Sequence, residues 1–190
     1  MNNSVSISLI QKKLSGHQGK TLLLEENRHA CVLVPLVLQN GALHLLLTKR
    51  TDSVEHHKGQ ISFPGGMVDA CDDCATSTAL RETKEEIGIP QESVQILGLL
   101  DDIHIPTGFI VTPIVGFIEH LPELITSKDE VAEILFIPLE KFFDESLQHT
   151  ETRELKGKTR EVYFYDVWKE PVWGATALII KEFTEIISKL

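Results

Sequence analysis

The chain has 190 residues, of which 42% are hydrophobic and 24% charged, an ordinary globular composition with enough length to bury most of its apolar side chains. Its formal net charge of -10 argues against general nucleic-acid binding, which depends on neutralising phosphates with Lys and Arg, and it requires any anionic ligand to be received by local basic groups or a cation. Three cysteines are too few for a disulfide framework, and neither a signal-peptide core nor an apolar run of the ~20 residues of a membrane span is present, so the expectation is a cytoplasmic protein without membrane or nucleic-acid partners.

In chain order, residues 4–14 have the spacing of a short helix, followed by a polar linker with Gly16 and Gly19. Residues 30–39 form a strand whose continuous apolar run predicts burial on both faces. Asn40-Gly41 is a strong hairpin signal and sends the chain back through residues 42–48. Residues 51–60 are polar and loop-like. A helix over about 73–87 has Ala75, Ala79, Leu80, Thr83 and Ile87 available to pack on a sheet. Residues 94–100 and 109–118 read as strands separated by a loop, and 131–137 as another, with a helical turn from Pro138 to Phe143. A polar hairpin region at 151–158 precedes a strand over 161–168, and an amphipathic helix occupies 175–190. This alternation predicts an α/β fold: a three-layer α/β/α sandwich with a mixed sheet, forming one domain over 1–190 with residues 1–28 as an N-terminal extension.

The densest chemistry lies between residues 65 and 89. Gly65-Gly66-Met67-Val68-Asp69 leads through an acidic stretch to Asp73, and Arg81-Glu82-Thr83-Lys84-Glu85-Glu86-Ile87-Gly88-Ile89 follows. At about 100° per residue, Glu85 and Glu86 lie roughly 60° to one side and 40° to the other of Glu82, so three carboxylates share one helix stripe. Like charges at this spacing weaken a helix by a few tenths of a kcal/mol per pair. Two readings fit: an acidic solvated face, or ligands for a hard divalent cation that leaves positions for water and phosphate. The flanks favour a built site. Gly65-Gly66 permits a tight turn, Asp72 or Asp73 is placed to cap the helix, and Gly88 stands where a C′ glycine would end it.

This stretch resembles the Nudix box, with Arg81, Glu82, Glu85, Glu86, Gly88 and Ile89 in register. Two departures are visible. The box's first Glu falls on Asp73 counting back from Arg81 and on Asp72 counting forward from Gly66, so the loop is one residue longer. Thr83 replaces an apolar residue. The segment before it, Leu46-Leu47-Thr48-Lys49-Arg50 and Gly59-Gln60-Ile61-Ser62-Phe63-Pro64-Gly65-Gly66, resembles the coenzyme A pyrophosphatase branch of Nudix hydrolases, as do Thr107-Gly108-Phe109 and Val172-Trp173-Gly174-Ala175-Thr176-Ala177. Glu55 stands where that branch has Arg.

The resemblance implies a Mg²⁺- or Mn²⁺-dependent hydrolysis of the diphosphate linkage in coenzyme A (CoA) or its derivatives, giving 3′,5′-ADP and 4′-phosphopantetheine, by a monomer or homodimer. Within the same chemistry the alternatives are ADP-ribose, nucleotide sugars and dinucleoside polyphosphates. A noncatalytic nucleotide sensor is the alternative of another class. Glu82 and Glu86 are the leading metal ligands, and Glu85 is either a third ligand or the acceptor of the attacking water's proton. Glu130, ahead of the strand at 131–137, is a metal-cluster or base residue on the family pattern, or an ordinary strand-entry residue. Arg81 is placed to orient a carboxylate. Arg50 is read as a phosphate fork or a surface ion pair, with His57 and Gln60 as further substrate-binding candidates. Gly65, Gly66 and Gly88 are structural. Trp173 either packs the last helix or stacks on adenine. Cys71 and Cys74 are read as small side chains at a helix start, with a metal or redox pair as the alternative.

Overall fold

In the computed structural model, residues 6–22, 28–51, 59–155 and 157–188 are described. Helix α1 (Ile7–Ser15) starts at Ser6, whose Oγ accepts the Leu9 N–H at 3.3 Å and so satisfies one donor of the first turn. Its buried residues Ile10 and Leu14 face β5 and α3, introduced below.

Strand β1 (Arg28–Gln39) is the spine of the sheet. One edge pairs in parallel with β7 (Phe109–Ile118) along its length, from Arg28 opposite Phe109 to Val37 opposite Ile118. The run from Leu33 to Val37 is buried, as its unbroken apolar sequence requires. The other edge of β1 is divided. Asn40 and Gly41, with φ of 51° and 78°, turn the chain into β2 (Ala42–Arg50), the primed hairpin geometry that Asn-Gly favours. β2 stays paired with β1 only at residues 36–39. Beyond that point the two diverge. β4 (Gly65–Met67) takes the vacated edge of β1, while β3 (Ile61–Ser62) pairs with Thr48 and Lys49 of β2. This divergence is what opens the site. β8 (Val131–Pro138) lies along the other edge of β2. β5 (Gln95–Leu99) and β6 (Ile103–Ile105) share the outer edge of β7.

Helix α2 (Ala75–Ile87) covers one face of this mixed eight-stranded sheet, with Ala79 among Cys31, Leu33 and Ile114, and Ile87 among Val37, Leu46 and Ile118. Helices α1 and α3 (Ala175–Ser188) lie on the opposite face, where Ile179, Ile180 and Phe183 join Val34, Leu36, Leu45 and Val115. Each such fully buried side chain contributes about 1.5–3 kcal/mol through removal of apolar surface from water. The result is the expected α/β/α arrangement. Alongside α3 it carries a second, antiparallel sheet in the order β11 (Val172–Trp173), β10 (Lys158–Tyr165), β9 (Gln148–Leu155).

Several boundaries differ from expectation. The loop at 101–108 contains β6, because Ile103 and Ile105 alternate about His104 over too short a span to register as a strand. The polar hairpin region is two full strands, and the strand expected at 161–168 is 158–165, since pairing with β9 rather than apolar periodicity defines it. Helix α2 starts at Ala75. Its N-cap is Cys74, whose N–H donates to Ser77 Oγ at 2.9 Å, not Asp72 or Asp73. Among the described residues, no helix is long and apolar enough to cross a membrane.

Candidate active site

Gly65 and Gly66 do not form the expected tight turn; they are extended in β4, opposite Val32 and Cys31. Their lack of side chains serves close approach instead. A Cβ on Gly65 would lie 2.3 Å from the Cys31 carbonyl oxygen, and one on Gly66 would lie 2.4 Å from the carboxyl carbon of Glu82. Strand β4 can therefore press directly on α2. Gly88 plays both a helix-ending and a clearance role: its φ is 76°, its N–H donates to Lys84 O at 2.9 Å, and a Cβ there would lie 2.9 Å from Ile125 N. The loop at 121–130 is thus able to bond across the helix terminus, with Ile125 N–H on Ile87 O at 3.1 Å and Ser127 N–H on Glu86 O at 2.8 Å. Glu130 is delivered to the site by this same loop.

Arg81 organises the acids of α2. Its Nε and Nη2 donate to the two oxygens of Asp72 at 3.0 and 2.9 Å, its Nη1 to Glu82 at 2.8 Å and Glu85 at 3.2 Å, and its Nη2 also to Met67 O at 3.1 Å. Asp72 accepts further bonds from Thr78 Oγ1 and the Asp69 N–H, both at 2.9 Å, and the Arg81 guanidinium holds its carboxyl well below the usual range. Of the two acids that the longer loop offers, Asp72 is the one drawn into the network; Asp73 is exposed. Asp72 therefore fixes Arg81 rather than capping the helix.

Glu86 occupies the deepest position. It is 3% exposed, and burial pushes its carboxyl up to about 8. Arg50, with Nη1 3.6 Å away, and the Gly65 N–H at 3.4 Å oppose that rise; the charges of Glu130 and Glu82 reinforce it. Glu82 is likewise raised, chiefly by burial, with Arg81 opposing and Glu85 and Glu130 adding to the rise. Glu85 is exposed. Glu130 is exposed at the entry to β8, and its field reaches both Glu82 and Glu86. The four acids called from the sequence therefore form one electrostatically coupled group. No three of them bring ligand atoms within 4.8 Å of one another; Arg50 stands beside Glu86, and Arg81 Nη1 is shared between Glu82 and Glu85.

Arg50 ends β2 where that strand has left β1, and its backbone N–H donates to Gln60 O at 3.0 Å. Both residues border a cavity of about 430 Å³ between the divergent strands, β10, β11 and α3. The substrate candidate His57, and Glu55, lie outside the described residues. Trp173 lines this cavity while stacking with Phe164 at a ring separation of 6.1 Å, so it packs the second sheet against the site. Cys71 and Cys74 are free and exposed, with their thiols shifted in opposite directions, Cys71 up beside Asp69 and Cys74 down through Ser77.

Two features were not anticipated. The cavity wall contributed by the second sheet includes Arg160, which no local pattern distinguishes. Far from it in sequence, His17, Asp101 and Glu182 converge, with His17 Nε2 3.0 Å from Asp101 and 3.8 Å from Glu182. The Asp101 and Glu182 oxygens involved already accept the backbone N–H groups of Lys20 and Asp101, so this cluster clamps residues 17–20 onto α3.

The fold and the carboxylate helix define a class, and comparison with known proteins agrees. The NUDIX domain family matches residues 27–157. Proteins named Nudix hydrolase NudL, themselves uncharacterised, from Photorhabdus laumondii and Pectobacterium atrosepticum are each 39% identical to this chain. The first covers 86% of the chain and 87% of its own length, the second 87% and 85%. A MutT/nudix family protein from Enterococcus faecalis shares the fold with a TM-score of 0.60 at 21% identity, over 98% of this chain and 71% of its own. The NUDIX domain of Shewanella oneidensis NrtR, solved with ADP ribose, gives 0.50 at 18% identity, over 70% and 84%. The chain belongs to the Nudix family and is a hydrolase of diphosphate linkages. Enzymes of this family use divalent metal ions.

Proposed function

We propose that the protein hydrolyses the diphosphate linkage of CoA or its derivatives, with Mg²⁺ or Mn²⁺ held by Glu82 and Glu86 and with Glu85 or Glu130 completing the set. The observation that carries the metal assignment is the buried Glu86, held among the charges of Glu82 and Glu130 with Arg50 and the Gly65 N–H opposing them. A carboxylate group so placed is destabilised in its ionised form and fits a hard cation. Such a cation neutralises nonbridging phosphate oxygens and makes a water more acidic. Arg50 is placed to hold a phosphate oxygen through its fork. Arg81 keeps Glu82 and Glu85 oriented. As the water oxygen attacks phosphorus, its proton passes to Glu85 or Glu130, and the bridging P–O bond breaks to leave the second phosphate.

CoA is favoured by the segment at 46–66, which resembles the CoA pyrophosphatase signature, and by a cavity with mostly carbon walls beside Arg50. Incubation with CoA and Mg²⁺ or Mn²⁺ should yield 3′,5′-ADP and 4′-phosphopantetheine on chromatographic separation. Absence of turnover by the wild-type chain rejects CoA. ADP-ribose is the second reading, supported by the ADP ribose seen on the NrtR domain and by Glu55 in the place of the signature's Arg. Nucleotide sugars and dinucleoside polyphosphates complete the substrate panel. Retention of all the box acids disfavours a noncatalytic sensor.

A further inference from the structure

The 430 Å³ cavity is walled by two sheets that sequence places far apart: Val32 and Phe63 on one side, Arg160, Val162 and Tyr163 on the other, with Ile179 of α3 at its floor. Its size suits a small organic group rather than an ion. Most of the wall is carbon, yet two arginines, Arg50 and Arg160, line it from opposite sheets. Each has a buried Nε with no hydrogen-bond partner among the described residues. Arg50 already shares its charge with Glu86. For Arg160 no carboxylate among the described residues forms an ion pair. A buried donor left unsatisfied is costly, and a ligand acceptor would relieve it.

Resting on the proposed diphosphate chemistry beside Glu82 and Glu86, we propose that this cavity seats the uncharged, amide-bearing half of the substrate. Arg160 is then a specificity-determining residue that donates its Nε–H to a carbonyl oxygen of that half. Charge decides between the two halves of such a molecule. A nucleotide half bearing several phosphate charges would enter an apolar chamber with one uncommitted guanidinium, and burying unpaired charge is prohibitive. A chain of methylenes and amides needs the apolar wall for its carbon and a donor for its carbonyl, and the cavity supplies both. The polyanionic half then remains toward solvent.

The test uses the full-length chain with Mg²⁺ present, comparing wild type with Arg160→Met and Arg160→Lys. Calorimetric titration with 4′-phosphopantetheine and with 3′,5′-ADP reads binding, and steady-state kinetics on CoA reads turnover. Arg160→Met is expected to weaken 4′-phosphopantetheine binding about tenfold or more and to raise KM for CoA comparably, with 3′,5′-ADP affinity within about twofold of wild type. Arg160→Lys keeps the charge and loses the Nε–H, and is expected to behave like the Met variant. Thermal midpoints matching wild type, with retained 3′,5′-ADP affinity, confirm folding. If wild type fails to hydrolyse CoA but binds 4′-phosphopantetheine through Arg160, the substrate reading falls and the cavity assignment stands. If CoA is hydrolysed and the variants leave 4′-phosphopantetheine affinity and KM unchanged, or weaken 3′,5′-ADP instead, the cavity assignment is overturned and the substrate reading stands.

Discussion

Arg81 and Arg50 carry the same guanidinium into the same site under opposite conditions. Arg81 is saturated: Asp72, Glu82, Glu85 and the Met67 carbonyl take its donors, and all lie within fourteen residues of it. Arg50 has one loose contact, to Glu86 at 3.6 Å and thirty-six residues away, and a buried Nε without a partner among the described residues. On the proposed reading, the first group fixes geometry within the site and the second is available to a ligand. A saturated fork fixes geometry, whereas an unsaturated one at the mouth of a cavity can exchange its weak partner for a phosphate oxygen. The two should therefore fail differently when removed, and the carboxylates they hold should fail differently again.

The largest effect is expected at the acid between them. Glu86→Gln removes a proposed ligand but keeps shape, so turnover with Mg²⁺ or Mn²⁺ should fall by roughly 10³-fold or more, corresponding to several kcal/mol of transition-state stabilisation. The fold should survive, because the variant replaces a carboxyl whose ionised form burial disfavours at a 3% exposed position. A circular-dichroism melt without metal should show a midpoint no lower than wild type. Equal activity in the two proteins would return Glu86 to a purely structural role.

Arg81→Met is expected to cost less activity and more stability. Losing an orienting residue typically costs 10–100-fold, and here Asp72 and Glu82 would both lose their main partner. Because the Arg81 side chain is 26% exposed, solvent screening discounts the penalty to about 1–3 kcal/mol. Arg50→Met should invert the pattern, with KM rising and the melt little changed. If denaturant titration finds the Arg50 variant to be the less stable of the two, the distinction between saturated and available forks is wrong.

The same contrast explains what the sequence made legible. The acids on α2 share a helix stripe, so periodicity alone grouped Glu82, Glu85 and Glu86, and Gly88 ended the helix where its neighbours required. Asn40-Gly41 and the unbroken apolar run of β1 were equally local signals. What stayed hidden depends on separation in sequence. Gly65 and Gly66 read as a turn because nothing local reports that Cys31 O and the Glu82 carboxyl press against them. Asp72 read as a cap because its real partner, Arg81, reaches it only once the loop folds back. Arg160 carries no pattern at all: it lies on a polar hairpin, and only the packing of the second sheet turns it toward the cavity.

The buried acid also predicts a pH dependence for the metal-free protein. Burial raises the folded-state pKa of Glu86 from an ordinary 4.5 to about 8, so the folded state binds its proton more tightly than the unfolded chain does. The stability this contributes is fully present below about pH 4.5 and is lost as pH rises through about 8. Metal-free wild type should therefore lose stability relative to Glu86→Gln across that window, as read by urea midpoints at successive pH values. Addition of Mn²⁺ should restore wild type selectively at the alkaline end, where the carboxylate is ionised. Parallel curves for the two proteins would mean that Glu86 titrates normally.

The smallest effect concerns Glu55, which lies outside the described residues and departs from the CoA pyrophosphatase signature. An acid in the polar segment between Arg50 and Gln60 would repel a substrate carrying several phosphates if that segment lines the site. That repulsion is about 1 kcal/mol at a solvated separation of ~4 Å, and it falls with distance and with salt. Glu55→Arg should accordingly lower KM for CoA several-fold, and the gain should shrink as ionic strength rises. The change falls on KM because it alters the reception of the anion rather than the attack on phosphorus. Comparison of CoA with dephospho-CoA locates the contact: a larger gain for CoA places the loop beside the 3′-phosphate, and equal gains place it beside the diphosphate and Arg50. A KM unchanged for both would show that residue 55 does not sense phosphate, and would leave Arg50 as the basic group proposed to receive it.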